Sequence, residues 1–124
     1  KSLNDIDVYI VDTFGETKKF HKIANSVFLG GSIIERGGQN PLEAARFGAK
    51  ILHGPNIDNF KDVYKYLKSI NVSKKITNIN ELVSEISFKK KKRSPKTIRF
   101  IGRKILKKTM IELNNILKNE FKKT

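Results

Sequence analysis

Apolar residues in the first three-fifths of the chain fall into short unbroken runs separated by amphipathic stretches. Val8-Tyr9-Ile10-Val11 predicts a first strand. Val27-Phe28-Leu29, closed by Gly30-Gly31, predicts a second, Lys50-Ile51-Leu52 a third, and residues 74–77 a short fourth. Between them the pattern predicts helices from Glu16 to Ala24, from Pro41 to Phe47 and from Asn59 to Ile70. In the last of these Phe60, Val63, Leu67 and Ile70 share one face, with Asn59 placed to cap it. Asn80 is placed to cap a further helix carrying Leu82, Val83 and Ile86. The strands lack polar alternation, as expected when both faces are covered. Strand and helix in alternation predict an α/β fold: part of a doubly wound parallel sheet of three to four short strands flanked by helices.

The tail has another pattern. Residues 89–93 form a basic linker, and Ser94-Pro95 is a helix start, a capping residue followed by proline at the first helical position. Ile98, Ile101, Ile105, Leu106, Met110, Leu113, Leu117 and Phe121 then recur at helical spacing, which predicts a long amphipathic C-terminal helix with a basic polar face. The expected division is residues 1–88 as the α/β unit, 89–93 as linker and 94–124 as the helix.

Composition narrows the chemistry. The 124 residues suit one domain or part of one, and 38% hydrophobic content argues for a packed core. There is no cysteine, so disulfides and thiolate metal sites are excluded, and two histidines, His21 and His53, are too few for a histidine-based metal centre. No metal or cofactor is expected. No apolar run reaches the ~18 residues that span a bilayer. The net charge of +14 favours polyanionic partners without choosing among nucleic acid, anionic lipid and phosphorylated ligands. It is concentrated: from Lys89 to Lys108 there are eleven Lys or Arg and no acid.

In open parallel sheets ligands bind beyond the carboxyl ends of the strands. Seven of the eight glycines lie between Gly15 and Gly54, in or beside the loops expected there. Gly37-Gly38 ahead of Asn40-Pro41 forms a candidate anion site, and Glu43, one turn into the helix, a candidate acceptor for ribose hydroxyls. Asn40 and Glu43 also have capping-box spacing, which accounts for both without a ligand. Glu16 suits either the helix dipole or a ligand. His53 lacks an acidic partner at triad spacing and is expected to hydrogen-bond backbone. Arg36 could meet a phosphate, but a solvated surface arginine is the commoner case. No nucleophile–base pair, P-loop, paired-carboxylate or zinc pattern occurs.

At these loops the chain resembles a known family. Asp12-Thr13-Phe14-Gly15-Glu16, Phe28-Leu29-Gly30-Gly31-Ser32, Gly37-Gly38-Gln39-Asn40-Pro41-Leu42-Glu43-Ala44-Ala45, His53-Gly54-Pro55 and Asn59-Phe60 are ordered and spaced as in the C-terminal domain of 3-deoxy-D-manno-octulosonic acid (Kdo) transferases. The similarity runs from about Asp5 to about Asp62. It implies a GT-B glycosyltransferase with two Rossmann-like domains, the C-terminal one holding CMP-Kdo. The N-terminal one would hold lipid A precursor and supply the carboxylate general base, so no catalytic residue is expected in this chain, and the fragment is expected to be inactive alone. Transfer would need no essential metal and would occur at the cytoplasmic face of the bacterial inner membrane, in lipopolysaccharide biosynthesis.

Carried over by position, Glu43 is the candidate for the ribose hydroxyls. Gly31, Ser32, Gly38 and Asn40 would lie near phosphate and sugar, Gly15 and Glu16 would border the donor pocket, and Asn59 would line the cleft. Val11 stands where a glycine is common in the family, and Gln39 where a histidine is. The resemblance also lets the last helix pack across to the other domain, or meet an anionic membrane with its basic face; the plainer expectation is a soluble helix packed on this sheet. The competing expectation is a basic nucleic-acid-binding module, supported by charge but by no helix-turn-helix, KH or RNP signature.

Overall fold

A computed structural model describes residues 3–87 and 95–122. It is α/β. The elements in chain order are α1 (Thr17–Ile23), β1 (Ser26–Leu29), α2 (Leu42–Arg46), β2 (Lys50–His53), α3 (Lys61–Ser69), β3 (Ser73–Lys75), α4 (Ile79–Glu85) and α5 (Pro95–Phe121). Single 3₁₀ turns cover Leu3–Asp5, Gly30–Ser32 and Asp58–Phe60. The three strands form one parallel sheet in the order β1-β2-β3. Val27 pairs with Ile51, and Ile51 with Ser73.

The core lies on one face of this sheet. Leu29 and Ile51 project from the strands onto Ala44, Ala45 and Ala49 from α2 and its exit, and onto Tyr64 and Leu67 of α3. Three small alanines let α2 approach the sheet closely, and the larger Tyr64 and Leu67 fill the space beside it. Ala45, Ala49, Ile51 and Leu67 are fully buried. Close packing of this kind makes removal of a side chain such as Leu67 cost about 2–5 kcal/mol.

The other face carries α4, held by charge. The Glu85 carboxylate meets Lys50 Nζ of β2 and Lys74 Nζ of β3, each at 2.5 Å. Those two contacts, Lys50 first, pull the Glu85 pKa down to about 2. Beyond α4, the Ser26 hydroxyl donates to the Ser87 carbonyl and accepts from the Ser87 amide, returning the chain to β1.

Several boundaries differ from the sequence pattern. Val8–Val11 is not a strand. No ladder pairs it; Val8 and Ile10 are about four-fifths exposed, and the Tyr9 ring rests 5.9 Å from that of Phe20 on α1. A strand is stable only when a neighbour satisfies its backbone, and β1 is here an edge. The helix expected from Asn59 begins instead at Lys61, because Asn59 sits in the preceding 3₁₀ turn and its side chain is used elsewhere. The cap of α4 is Asn78, not Asn80: Asn78 Oδ1 accepts from the Glu81 amide at 2.9 Å, while the Glu81 carboxylate reaches back to the Thr77 amide and hydroxyl. The expected linker, residues 89–93, lies outside the described residues. The long C-terminal helix is present, 27 residues in all.

Candidate functional site

Two loops leave the carboxyl ends of β1 and β2, residues 30–41 and 54–60, and they are laced together. Asn56 donates from its amide nitrogen to the Ser32 carbonyl at 2.9 Å and from its side chain to the Ile33 carbonyl at 2.9 Å. The Asn59 backbone amide donates to the Gly37 carbonyl at 3.0 Å, and its side chain to the Arg36 carbonyl at 3.2 Å. These bonds require an unusual backbone. Gly37 and Gly38 have φ of +76° and +82°, the left-handed region that glycine enters freely. There is no room for a side chain either: a Cβ at Gly37 would overlap the Asn59 carboxamide, and one at Gly38 would lie 2.9 Å from the Asn56 carbonyl.

The laced loops rest on a buried aromatic platform. The Tyr64 hydroxyl donates to the Gln39 carbonyl at 2.9 Å, and the Tyr64 ring lies 4.4 Å from that of His53. Burial pushes the Tyr64 pKa up to about 12, so it remains a donor. His53 is 5% exposed, with Nδ1 2.7 Å from the Gly54 carbonyl. A carbonyl only accepts, so Nδ1 carries the hydrogen. Burial, with Lys75 and Lys68 adding to it, holds the imidazole below its usual pKa and favours the neutral ring. This is the backbone-bonded histidine expected from the sequence.

Ser32 lies under the loops. Its hydroxyl donates to the Leu29 carbonyl at 2.5 Å and accepts from the Gly54 amide at 2.6 Å, and the residue is fully buried. It supports the turn instead of facing a ligand. Gly31 is part-exposed, and a Cβ there would meet the Gln39 side chain at 3.0 Å.

Asn40 and Glu43 are exposed at the start of α2. Asn40 Oδ1 accepts from the Leu42 amide at 3.0 Å, an Asx turn one residue short of capping-box geometry, and Pro41 occupies the cap position. Both line a groove of about 860 Å³ between α2 and α5, with Lys18 of α1 at its edge. Gly15 and Glu16 do not line it. Gly15 has φ +85°, and Glu16 stands at the cap of α1. The Thr13 hydroxyl donates to the Glu16 carboxylate and, with Lys19 nearby, holds its pKa below the ordinary range.

The structure thus joins Gly31, Gly38 and Asn59 in one laced unit and Asn40 and Glu43 in the adjoining groove. It also shows residues that sequence reasoning passed over: Tyr64, which pins the loop from α3, and Arg99 and Arg103 of α5, which line the same groove as Glu43. A second cavity, about 430 Å³ and mainly apolar, opens among Phe28, Ile33, Pro55, Ile76 and Leu82; it contains none of the expected site residues. Among the described residues there is no cluster that could hold a metal ion and no helix long and apolar enough to cross a membrane.

The chain is similar to known proteins over much of its length. A 3-deoxy-D-manno-octulosonic acid transferase from Rickettsia typhi is 38% identical over 91 residues, 69% of this chain and 20% of that protein. The enzyme of the same name from Bordetella pertussis is 42% identical over 57 residues, 46% of this chain and 13% of its own. The chain is related to the Kdo transferases. It spans about a fifth of the length of the Rickettsia relatives it matches. A bifunctional glycosyltransferase/methyltransferase from Fusobacterium nucleatum is 28% identical over 118 residues, 89% of this chain and 18% of that protein. No protein-family model matches the chain.

Proposed function

We propose that this chain is the donor-binding part of a Kdo transferase of GT-B architecture, taking CMP-Kdo. The observation that carries this reading is the doubly laced glycine loop. Positive φ at Gly37 and Gly38 and the bonds from Asn56 and Asn59 hold residues 36–40 in one conformation immediately before Asn40 and Glu43. Binding energy then goes to the ligand without being spent on ordering the loop. Glu43, exposed and with no hydrogen-bond partner among the described residues, suits the ribose hydroxyls. Gly31, Gly38 and Asn40 offer backbone and amide contacts to phosphate and sugar. Asn59 and Ser32 act by positioning. Gly15 and Glu16, in the turn ahead of α1, stay outside the groove between α2 and α5 and border the donor beyond it.

The residues here hold and orient the donor, while the general base and the lipid A precursor belong to an N-terminal domain of the parent enzyme. The fragment is therefore inactive alone, and the parent works at the cytoplasmic face of the inner membrane in lipopolysaccharide biosynthesis. Residues 1–88 act as the donor unit and 94–124 as a helical extension. Along α5, Leu106, Met110, Leu113, Leu117 and Phe121 form an exposed apolar stripe, while Lys104, Lys107, Lys108 and Lys118 lie on other faces. The stripe suits the other domain, and the lysines suit anionic headgroups.

The test is a Kdo-transfer assay on the full parent enzyme with CMP-Kdo, comparing the natural sequence with Glu43→Ala. A rise in KM for the donor with little change in kcat is expected from lost binding. Unchanged KM and kcat would remove Glu43 from the site.

A further inference from the structure

The groove between α2 and α5 is electrostatically unbalanced. Lys18, Arg46, Arg99 and Arg103 line it against one carboxylate, that of Glu43. None of the four cations has an ion-pair partner among the described residues, although Lys50, Lys61 and Lys74 each meet an acid. The four come from three separate elements, α1, α2 and α5, so their convergence is a product of the tertiary fold and not of a local run. Arg99 and Arg103, four apart on α5, share a helix face. Gly102 sits between them, a poor helix former kept in a helix interior. A Cβ there would lie 3.9 Å from Arg46 Nη2, an ordinary contact distance, so α5 runs directly beside that guanidinium.

Converging like charges repel until an anion enters. Guanidinium forks match the oxygens of a phosphate in both geometry and charge. We infer that this groove binds a phosphate group, with Arg46, Arg99 and Arg103 as its direct contacts and Lys18 at the rim. The phosphate chemistry follows from the groove itself. That the phosphate is the donor nucleotide's rests on the function proposed above, because Glu43 stands in the same groove and one molecule can place its ribose on Glu43 and its phosphate on the arginines.

Backbone-amide NMR titrations of the whole chain with inorganic pyrophosphate, CMP and cytidine test this, alongside the variant R99A/R103A, which keeps a helix-favouring residue at both positions. Pyrophosphate is expected to shift the amides of Arg46, Gly102 and Arg103, and the variant to lose that response. CMP is expected to bind roughly tenfold or more tightly than cytidine, falling to about twofold in the variant, as for loss of a charge-assisted contact. Pyrophosphate shifts without any CMP response support the phosphate groove and overturn the nucleotide reading alone. A CMP-to-cytidine ratio unaffected by R99A/R103A, with no pyrophosphate response, overturns the groove and leaves the nucleotide reading standing. Vesicles containing phosphatidic acid that compete with pyrophosphate support the groove and assign its phosphate to a lipid headgroup. Binding of a single-stranded oligonucleotide while pyrophosphate shifts nothing overturns the proposal in favour of a nucleic-acid surface.

Discussion

The hydroxyl of Tyr64, in the middle of α3, donates to the main-chain carbonyl of Gln39, 25 residues earlier, at 2.9 Å. It ties the packed core directly to the loop that precedes Asn40 and Glu43. Tyr64→Phe removes the hydroxyl and keeps the ring against His53. The loss of one such bond is expected to cost about 1 kcal/mol of stability. The amides of residues 37–40 should exchange faster while those of β2 keep their protection, which hydrogen-exchange NMR resolves.

Gly37→Ala should be costlier than either neighbour's truncation, because it meets two obstacles: a left-handed φ and the Asn59 carboxamide. The backbone term alone is about 1–2 kcal/mol. Asn59→Ala removes the steric obstacle but leaves the φ cost. The double variant should therefore be more stable than the sum of the two single losses, by a coupling of about 0.5 kcal/mol or more. Denaturant unfolding of the four proteins measures the cycle; strict additivity would separate Asn59 from Gly37.

Acid should loosen α4 through Glu85. Its folded pKa lies at about 2, below the ordinary carboxylate value of 4.5. A depressed carboxylate stabilises the fold above the unfolded value and loses that contribution as pH falls toward the folded one. The window for Glu85 is therefore about pH 4.5 down to 2. His53 acts earlier: its folded pKa is lowered from 6.5, so the unfolded chain takes the proton first and stability declines as pH drops below that value. Melting curves across pH 2–8 should show the two phases. Glu85→Gln should flatten the lower one and leave the upper one in place.

The α/β alternation is legible because β1 and β2 pair in a ladder and their apolar runs are short and bounded by glycine. Val8–Val11 has the same local pattern but no paired neighbour, and pairing is a tertiary fact that periodicity does not carry. Asn59 and Asn80 both suit a cap by position. Asn59 finds the Arg36 carbonyl instead, and Asn78, two residues before Asn80, takes the cap of α4. Ser32 belongs to a motif that suggests ligand contact, yet its burial shows a side chain committed to Leu29 and Gly54. Tyr64 gives no sequence signal beyond an aromatic on a helix. Arg99 and Arg103 are hidden in a basic run that reads as a solvated face until α5 is seen against α2.

Glu43→Ala should leave thermal stability within ±0.5 kcal/mol, the usual range for an exposed side chain without partners. Cytidine-nucleotide binding should weaken severalfold. Loss of stability equal to the loss of binding would instead make Glu43 a structural cap.

The most direct measurement is a backbone-amide NMR titration of this chain with CMP, with AMP as control. Shifts centred on residues 30–43, larger for CMP than for AMP, are the result expected of a donor half-site. A folded spectrum in which neither nucleotide moves those amides would contradict it.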